Sequence, residues 1–454
     1  AYGLKEFDGT PLYESPAAAV GQSEWGSCNF MHSRGEIRCF IQSCADYWLR
    51  VFHADGLRMD AVSRLIYWQG DPNRGVNGST LEFLKGMNAG LQQRHPTAIL
   101  IAEDSTSFPK VTAPVEYGGL GFDYKWDLGW MNDTLKYIKE APLYRHWLHG
   151  KLTHTADYAF TENYVLVLSH DEVVHLKKPM LGKAPGGIED QLATLKTLYT
   201  FQFTHPGKKL LFMGQEFGQF TEWNEEKQLD WMLLDYDKHT ELQNYVKTLN
   251  AFYKEHPAFW QIDYSWEGFQ WIVPDDSKQS VIAFLRKDAN GKQILVVCNF
   301  NPVLREGYAL GAPVAGTYKE VLNSDDAAFG GSGAVHNKPV RTHKKPMHGF
   351  EQSITITLPP MSTLYFEVPT KRTRKAAEDS ADKPAKKTAK KATVKDAVEK
   401  AVKKTTRKAK AEPDADKPVK KTSAKAKTAA KAKTETEAET KPAKRTRKAK
   451  APKE

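Results

Sequence analysis

The sequence predicts an α/β protein in which parallel βα units are followed by an antiparallel β-sandwich and then by a disordered tail. Three observations carry this. From about residue 45 to 255, short near-continuous apolar runs alternate with amphipathic stretches, the texture of strands buried on both faces and joined by helices. From about 261 to 368 the texture becomes period-two strands separated by Asn-Gly, Gly-Gly and Pro-rich turns. After Pro369 only Lys, Ala, Thr, Pro and acidic residues remain in quantity, and such a composition cannot bury enough apolar surface to order itself.

Five runs read as parallel strands: Gly56 to Asp60, Ala98 to Glu103, Phe122 to Asp127, Tyr164 to Ser169 and Lys209 to Gly214. Thr80 to Gln92 and Glu189 to Phe203 read as helices between them. A closed βα barrel uses eight strands, so five imply either an open sheet or a barrel with part missing upstream. In the second region the strands are Val281 to Arg286, Gln293 to Phe300, Ser353 to Leu358 and Ser362 to Val368, and Ala327 to Gly349 reads as an exposed loop. The resulting domain boundaries are 1–260, 261–369 and 370–454.

The formal charge of +10 is unevenly placed. Lys371 to Glu454 holds 30 basic and 12 acidic residues, whereas the rest of the chain holds 35 and 43, and all 50 aromatic residues precede the tail. The basic excess therefore belongs to the tail, where weak nonspecific polyanion binding is the expectation. No apolar run reaches membrane-spanning length, and the N-terminus lacks a signal-peptide pattern. A cytoplasmic monomer is expected. The missing initial Met is read as the mark of a piece or a processed chain. Cys28, Cys39, Cys44 and Cys298 form no metal-binding spacing and are expected as free thiols; His146, His149 and His154 are assigned packing or surface roles.

Three strand runs end in acids: Asp60, Glu103, and Asp171 after His170. Residues just past the C-terminal ends of parallel strands crowd around one mouth, so three such acids meet there. Arg58 and Asp60 are two apart on a strand and share a face, so the guanidinium is expected to favour the carboxylate. Glu103 follows an apolar strand with no basic neighbour in sequence, as suits a proton donor. One attacking carboxylate and one proton-donating carboxyl form the retaining glycosidase pair. For any one of these acids the competing role is helix capping or a surface ion pair; the spacing of all three, with Arg58 and His170, favours the shared mouth. Trp126 and Trp223, lying after strand runs, are expected to line the cleft.

The stretches Asp55-Gly56-Leu57-Arg58-Met59-Asp60-Ala61-Val62, Ala102-Glu103-Asp104-Ser105 and Ser169-His170-Asp171-Glu172 resemble three of the four signature regions of the α-amylase clan of retaining glycoside hydrolases and transglycosidases. Phe108 to Thr112, Glu116 to Asp127, Ser169 to His175 and Leu211 to Phe217 are similar, more narrowly, to bacterial 1,4-α-glucan (glycogen) branching enzymes. The resemblance covers residues 1 to about 369. It implies the C-terminal five strands of a (β/α)8 TIM-type barrel, followed by an antiparallel β-sandwich domain and the disordered tail.

By the same resemblance Asp60 is the nucleophile, Glu103 the general acid and base, and Asp171 a transition-state stabiliser assisted by His170, while Arg58 orients Asp60. The implied acceptor is a 6-hydroxyl of an α-glucan segment, giving α-1,6 branches, with no metal or organic cofactor. The competing activities are hydrolysis by an amylase-type or trehalose-releasing relative, or an inactive piece with a polyanion-binding tail. The clan's first signature region, an Asp and a His on an earlier strand, has no match, and the chain by itself is expected to be inactive or to aggregate. Leu176 stands where many relatives carry Gly, a departure expected to alter the loop near His175.

Overall fold

The computed structural model describes residues 5–370, so the expectation of disorder for 370–454 falls, beyond Thr370, outside the described residues. Five parallel strands, β1 (Gly56–Met59), β2 (Ile99–Ala102), β3 (Tyr124–Asp127), β4 (Tyr164–Leu168) and β5 (Lys208–Leu211), lie side by side in chain order. All five runs read from the sequence are strands, each within a residue or two at its start and up to three short at its end. The register pairs Met59 with Ala102, which sets the next residues, Asp60 and Glu103, beyond adjacent strand ends. Gly56 permits this close approach, because a Cβ there would lie 2.3 Å from the Ile99 carbonyl oxygen.

The expected helices are Gly78–Arg94 and Ile188–Thr204, each longer than the periodic stretch that announced it. Helices Gly35–Val51, Leu128–Lys139 and Asp237–Glu255 were not read from the pattern. Asp127 ends β3 and caps helix Leu128–Lys139, its Oδ1 accepting from the Trp130 amide at 2.8 Å. Burial raises its carboxyl to about 6.

The second region is an antiparallel pair of sheets. β6 (Phe269–Asp276), β7 (Val281–Lys287), β8 (Gln293–Asn299), β10 (Thr317–Asn323), β11 (Val340–Arg341) and β13 (Ser362–Glu367) form one sheet in the order β11-β10-β13-β8-β7-β6, and β9 (Arg305–Ala312) pairs with β12 (Gln352–Leu358) in the other. β6, β9, β10 and β11 were absent from the sequence reading. Segment 327–349 is partly or fully exposed throughout, as expected, but it is not all loop: β11 lies within it, and the Phe329 ring packs 5.1 Å from Tyr245.

Strand alternation divides β7 between two cores. Val281, Ala283 and Leu285 join the core between the two antiparallel sheets, while Ile282 and Phe284 join the core that holds Phe201, Tyr245 and Trp130 of the βα region. Two fully buried arginines pin this seam. Arg286 meets Asp263 at 2.9 Å and donates to the carbonyls of Thr204, Gly268 and Phe259. Arg145 donates to the carbonyls of Phe300, Ile138 and Glu140. Among the described residues no helix is long and apolar enough to cross a membrane. The four cysteines are free, with only Cys298 buried.

Candidate active site

β1 ends at Met59, and Asp60 follows with its side chain 77% exposed at the mouth. The Arg58 guanidinium reaches back to it, Nη2 lying 2.8 Å from Asp60 Oδ1 and 3.9 Å from Glu103 Oε2. Arg58 is held by Trp126 of β3, whose ring lies 4.0 Å beneath the guanidinium carbon. The expectation that Trp126 lines the cleft is corrected by its burial: it is 5% exposed, and Arg58 covers the ring that a sugar would need. Trp126 is the third of the four residues of β3, and the last three of these are all buried.

Glu103, past the end of β2, is three-quarters or more hidden, and its Oε2 accepts a 2.6 Å hydrogen bond from the Ala61 amide. Ala61 holds that geometry with a φ of +46°, a left-handed conformation forced on a residue with a Cβ directly after Asp60. Burial pushes the Glu103 carboxyl above its ordinary value, and the negative charges of Asp60 and Asp171 push the same way; the Ala61 hydrogen bond and Arg58 oppose them. The influence of both acids places Asp60, Glu103 and Asp171 in one electrostatic neighbourhood.

Asp171 sits in the single turn His170–Val173 after β4. The turn is fixed by a capping box: Glu172 Oε2 accepts from the Ser169 amide at 2.6 Å and from the Ser169 hydroxyl at 2.8 Å, and the Asp171 amide donates to Ser169 Oγ. His170 Nε2 is 3.6 Å from Asp171 Oδ1, and its ring stands edge-on to Trp223 at 6.0 Å. Trp223 therefore stands beside His170.

Beneath this rim Asp104 and Lys125 form a buried ion pair at 2.8 Å, and Lys125 also donates to the Thr106 carbonyl at 2.7 Å. The pair ties the residue after Glu103 to the residue before Trp126. The Ser-x-x-Glu spacing at Ser169 and Glu172 is a local sequence signal for this turn; the Asp104–Lys125 pair, 21 positions apart, leaves none. Among the described residues no cluster of three or more His, Cys, Asp or Glu could hold a metal. His149, by contrast, makes a packing contact, its Nε2 lying 3.0 Å from the Pro274 carbonyl.

The arrangement offers an exposed carboxylate steered by a guanidinium, a sheltered carboxyl that retains its proton to higher pH, and a third acid whose charge reaches that carboxyl. Residues 271–369 match the family described as the alpha amylase C-terminal all-beta domain. The structure is similar to the crystal structure of alpha-amylase from H. orenii, with a TM-score of 0.50 at 16% identity over 76% of this chain and 67% of that one. The fold is therefore a five-stranded parallel half-barrel followed by an alpha-amylase-type all-β domain.

Sequence relatives narrow the class. The chain is 46% identical over 377 residues to 1,4-alpha-glucan branching enzyme GlgB of Halothermothrix orenii, covering 81% of this chain and 60% of that protein. It is 47% identical over 379 residues to the protein of the same name from Aromatoleum aromaticum, covering 81% and 59%. Over about four fifths of its length the chain is similar to bacterial 1,4-alpha-glucan branching enzymes, and it spans about 60% of the length of these relatives.

Proposed function

We propose that this chain carries the reaction centre of a 1,4-α-glucan branching transferase working by double displacement. The observation that carries the reading is the pairing of Asp60, steered by Arg58 at 2.8 Å, with a sheltered, proton-retaining Glu103 at the adjoining strand end. Asp60 attacks the anomeric carbon of an α-1,4 linkage; the bond to the leaving oxygen breaks, and that oxygen takes the Glu103 proton. In the second half a glucan 6-hydroxyl gives its proton to Glu103 and attacks the same carbon, which releases Asp60 and leaves an α-1,6 branch. Asp171, with His170 beside it, grips sugar hydroxyls as positive charge develops on the ring. Trp126 serves through Arg58, which it supports from below.

The proposal assigns residues 1–260 to the barrel portion, 261–369 to the β-sandwich domain and 370–454 to an appendage with weak polyanion affinity. It places the enzyme in the cytoplasm as a monomer acting on glycogen or amylose-type chains. The test is amylose treated with the 454-residue chain, alone and joined to the region that its relatives carry beyond the match. A fall in iodine-staining chain length without new reducing ends supports transfer. Release of reducing ends in step with the staining change overturns it in favour of hydrolysis.

A further inference from the structure

The segment after Asp171 is held in an unusual way for its composition. His175, Leu176 and Lys178 all have left-handed backbones, with φ of +55°, +65° and +69°, and none is glycine. Such conformations persist in residues with a Cβ only where surrounding contacts over-determine them, and they concentrate at functional sites. Here the contacts are two opposite charges. The Glu222 carboxylate accepts from the amides of Leu176 at 3.0 Å and Lys178 at 2.6 Å. The buried Lys183 ammonium donates to the carbonyls of Glu172, Lys177 at 2.6 Å and Lys178 at 2.9 Å.

The clamp is continuous with the site. Lys177 Nζ donates to the Asp171 carbonyl at 2.8 Å, and the Trp223 amide donates to the Val173 carbonyl at 3.0 Å. Trp223 follows Glu222 in sequence and stands against His170. The result is a rigid loop that begins at Asp171 and presents, at its tip, a leucine 95% exposed to solvent. Among the described residues this apolar side chain, on a strained and doubly clamped backbone, has no packing role. The same strain would be relieved by glycine, so the side chain itself must be what the loop delivers.

We propose that Leu176 is a specificity-determining contact for the apolar face of a glucan chain at the rim of this site, and that Glu222 and Lys183 are positioning residues that hold it there. The inference rests on the glucan-transferase reading above and adds to it the residue that selects the bound segment. The carbon-bearing face of a glucose ring packs against leucine as against an aromatic ring, and covering much of one leucine corresponds to about tenfold in affinity.

The experiment is retardation of the 454-residue chain in gels containing amylopectin, with melting temperature recorded in parallel. Leu176→Ala and Leu176→Gly are both expected to weaken amylopectin affinity about tenfold, Leu176→Met to retain it, and Leu176→Gly to melt no lower than the parent. Glu222→Gln is expected to accelerate hydrogen exchange at the Leu176 and Lys178 amides and to weaken affinity, with no additional loss when combined with Leu176→Gly. Unchanged affinity in Leu176→Ala, or a loss confined to Leu176→Gly, overturns the inference and leaves the proposed function standing. A parent chain that amylopectin does not retard overturns the function reading and this inference together.

Discussion

Two helices of the same length show how differently the two sides of the molecule are built. Helix Ile188–Thr204 and helix Gly35–Val51 have 17 residues each; the first buries twelve of them and the second only Ile37 and Leu49. The first lies between β-strands of both regions, with Phe201 and Thr197 reaching the antiparallel sheet. The second presents Phe40, Tyr47 and Trp48, each 47% exposed, beside β1, which pairs on one side only. A groove of about 440 Å³ lined by Phe40, Trp48, Leu57, Met87 and Phe122 runs between that helix and the sheet. Burial is conferred by neighbours, so equal lengths of amphipathic helix contribute unequally to stability.

The reaction centre straddles this divide, with Asp60 and Glu103 on the sparsely covered strands and Asp171 on the well-packed one. The largest expected effect follows from it: in the chain joined to the region that its relatives carry beyond the match, Asp60→Ala or Glu103→Gln should remove transfer activity by several powers of ten, because nucleophile and acid act in one covalent cycle. Retention of more than a few per cent of activity in amylose branching by either variant would contradict the assignment. On the packed side, Asp263→Ala leaves the fully buried Arg286 without its carboxylate and should destabilise by about 3–5 kcal/mol in denaturant unfolding. Phe201→Ala should cost a comparable ~3–5 kcal/mol through cavity formation.

On the open side, Trp48→Ala should move stability by no more than about 0.5 kcal/mol, since half its surface already meets solvent. A loss near that of Phe201→Ala would erase the contrast. The smallest effect concerns pH. Glu103 binds its proton more tightly in the folded state, so its contribution is fully present below the ordinary carboxyl value and is lost as pH rises through the raised one. Glu103→Gln should therefore match the parent in melting temperature at acidic pH and exceed it at neutral pH; a parallel pair of curves would show that the carboxyl is not perturbed.

The five parallel strands were legible because each is a short apolar run bounded by turn residues, and the three strand-end acids were legible because chain order and sheet order coincide. Helix Gly35–Val51 was hidden by its polar and aromatic mixture, which reflects the little it buries. β9 and β10 were missed because Gly307, Gly311 and Lys319 interrupt their alternation, though the pleat tolerates them. The Arg58–Asp60 pairing followed from period two. The stacking of Arg58 on Trp126 did not, since it joins strands that are not neighbours in sequence or in pairing. The Glu222 grip on the Leu176 loop, 46 residues away, had no periodic trace either.

β7 and β8 are clad on both faces, one face by each core, and this makes the antiparallel sheet a party wall. Peeling the β-sandwich from the βα region would bare Ile282, Phe284, Val296 and Phe300 on one side and Phe201 and Tyr245 on the other. Neither half has an inexpensive intermediate in which it stands while the other melts. Calorimetry of the described portion should then give one endotherm whose van't Hoff and calorimetric enthalpies agree, although its architecture has two kinds of sheet. A substitution in the wall, such as Phe284→Ala, should lower that single transition whichever region is watched.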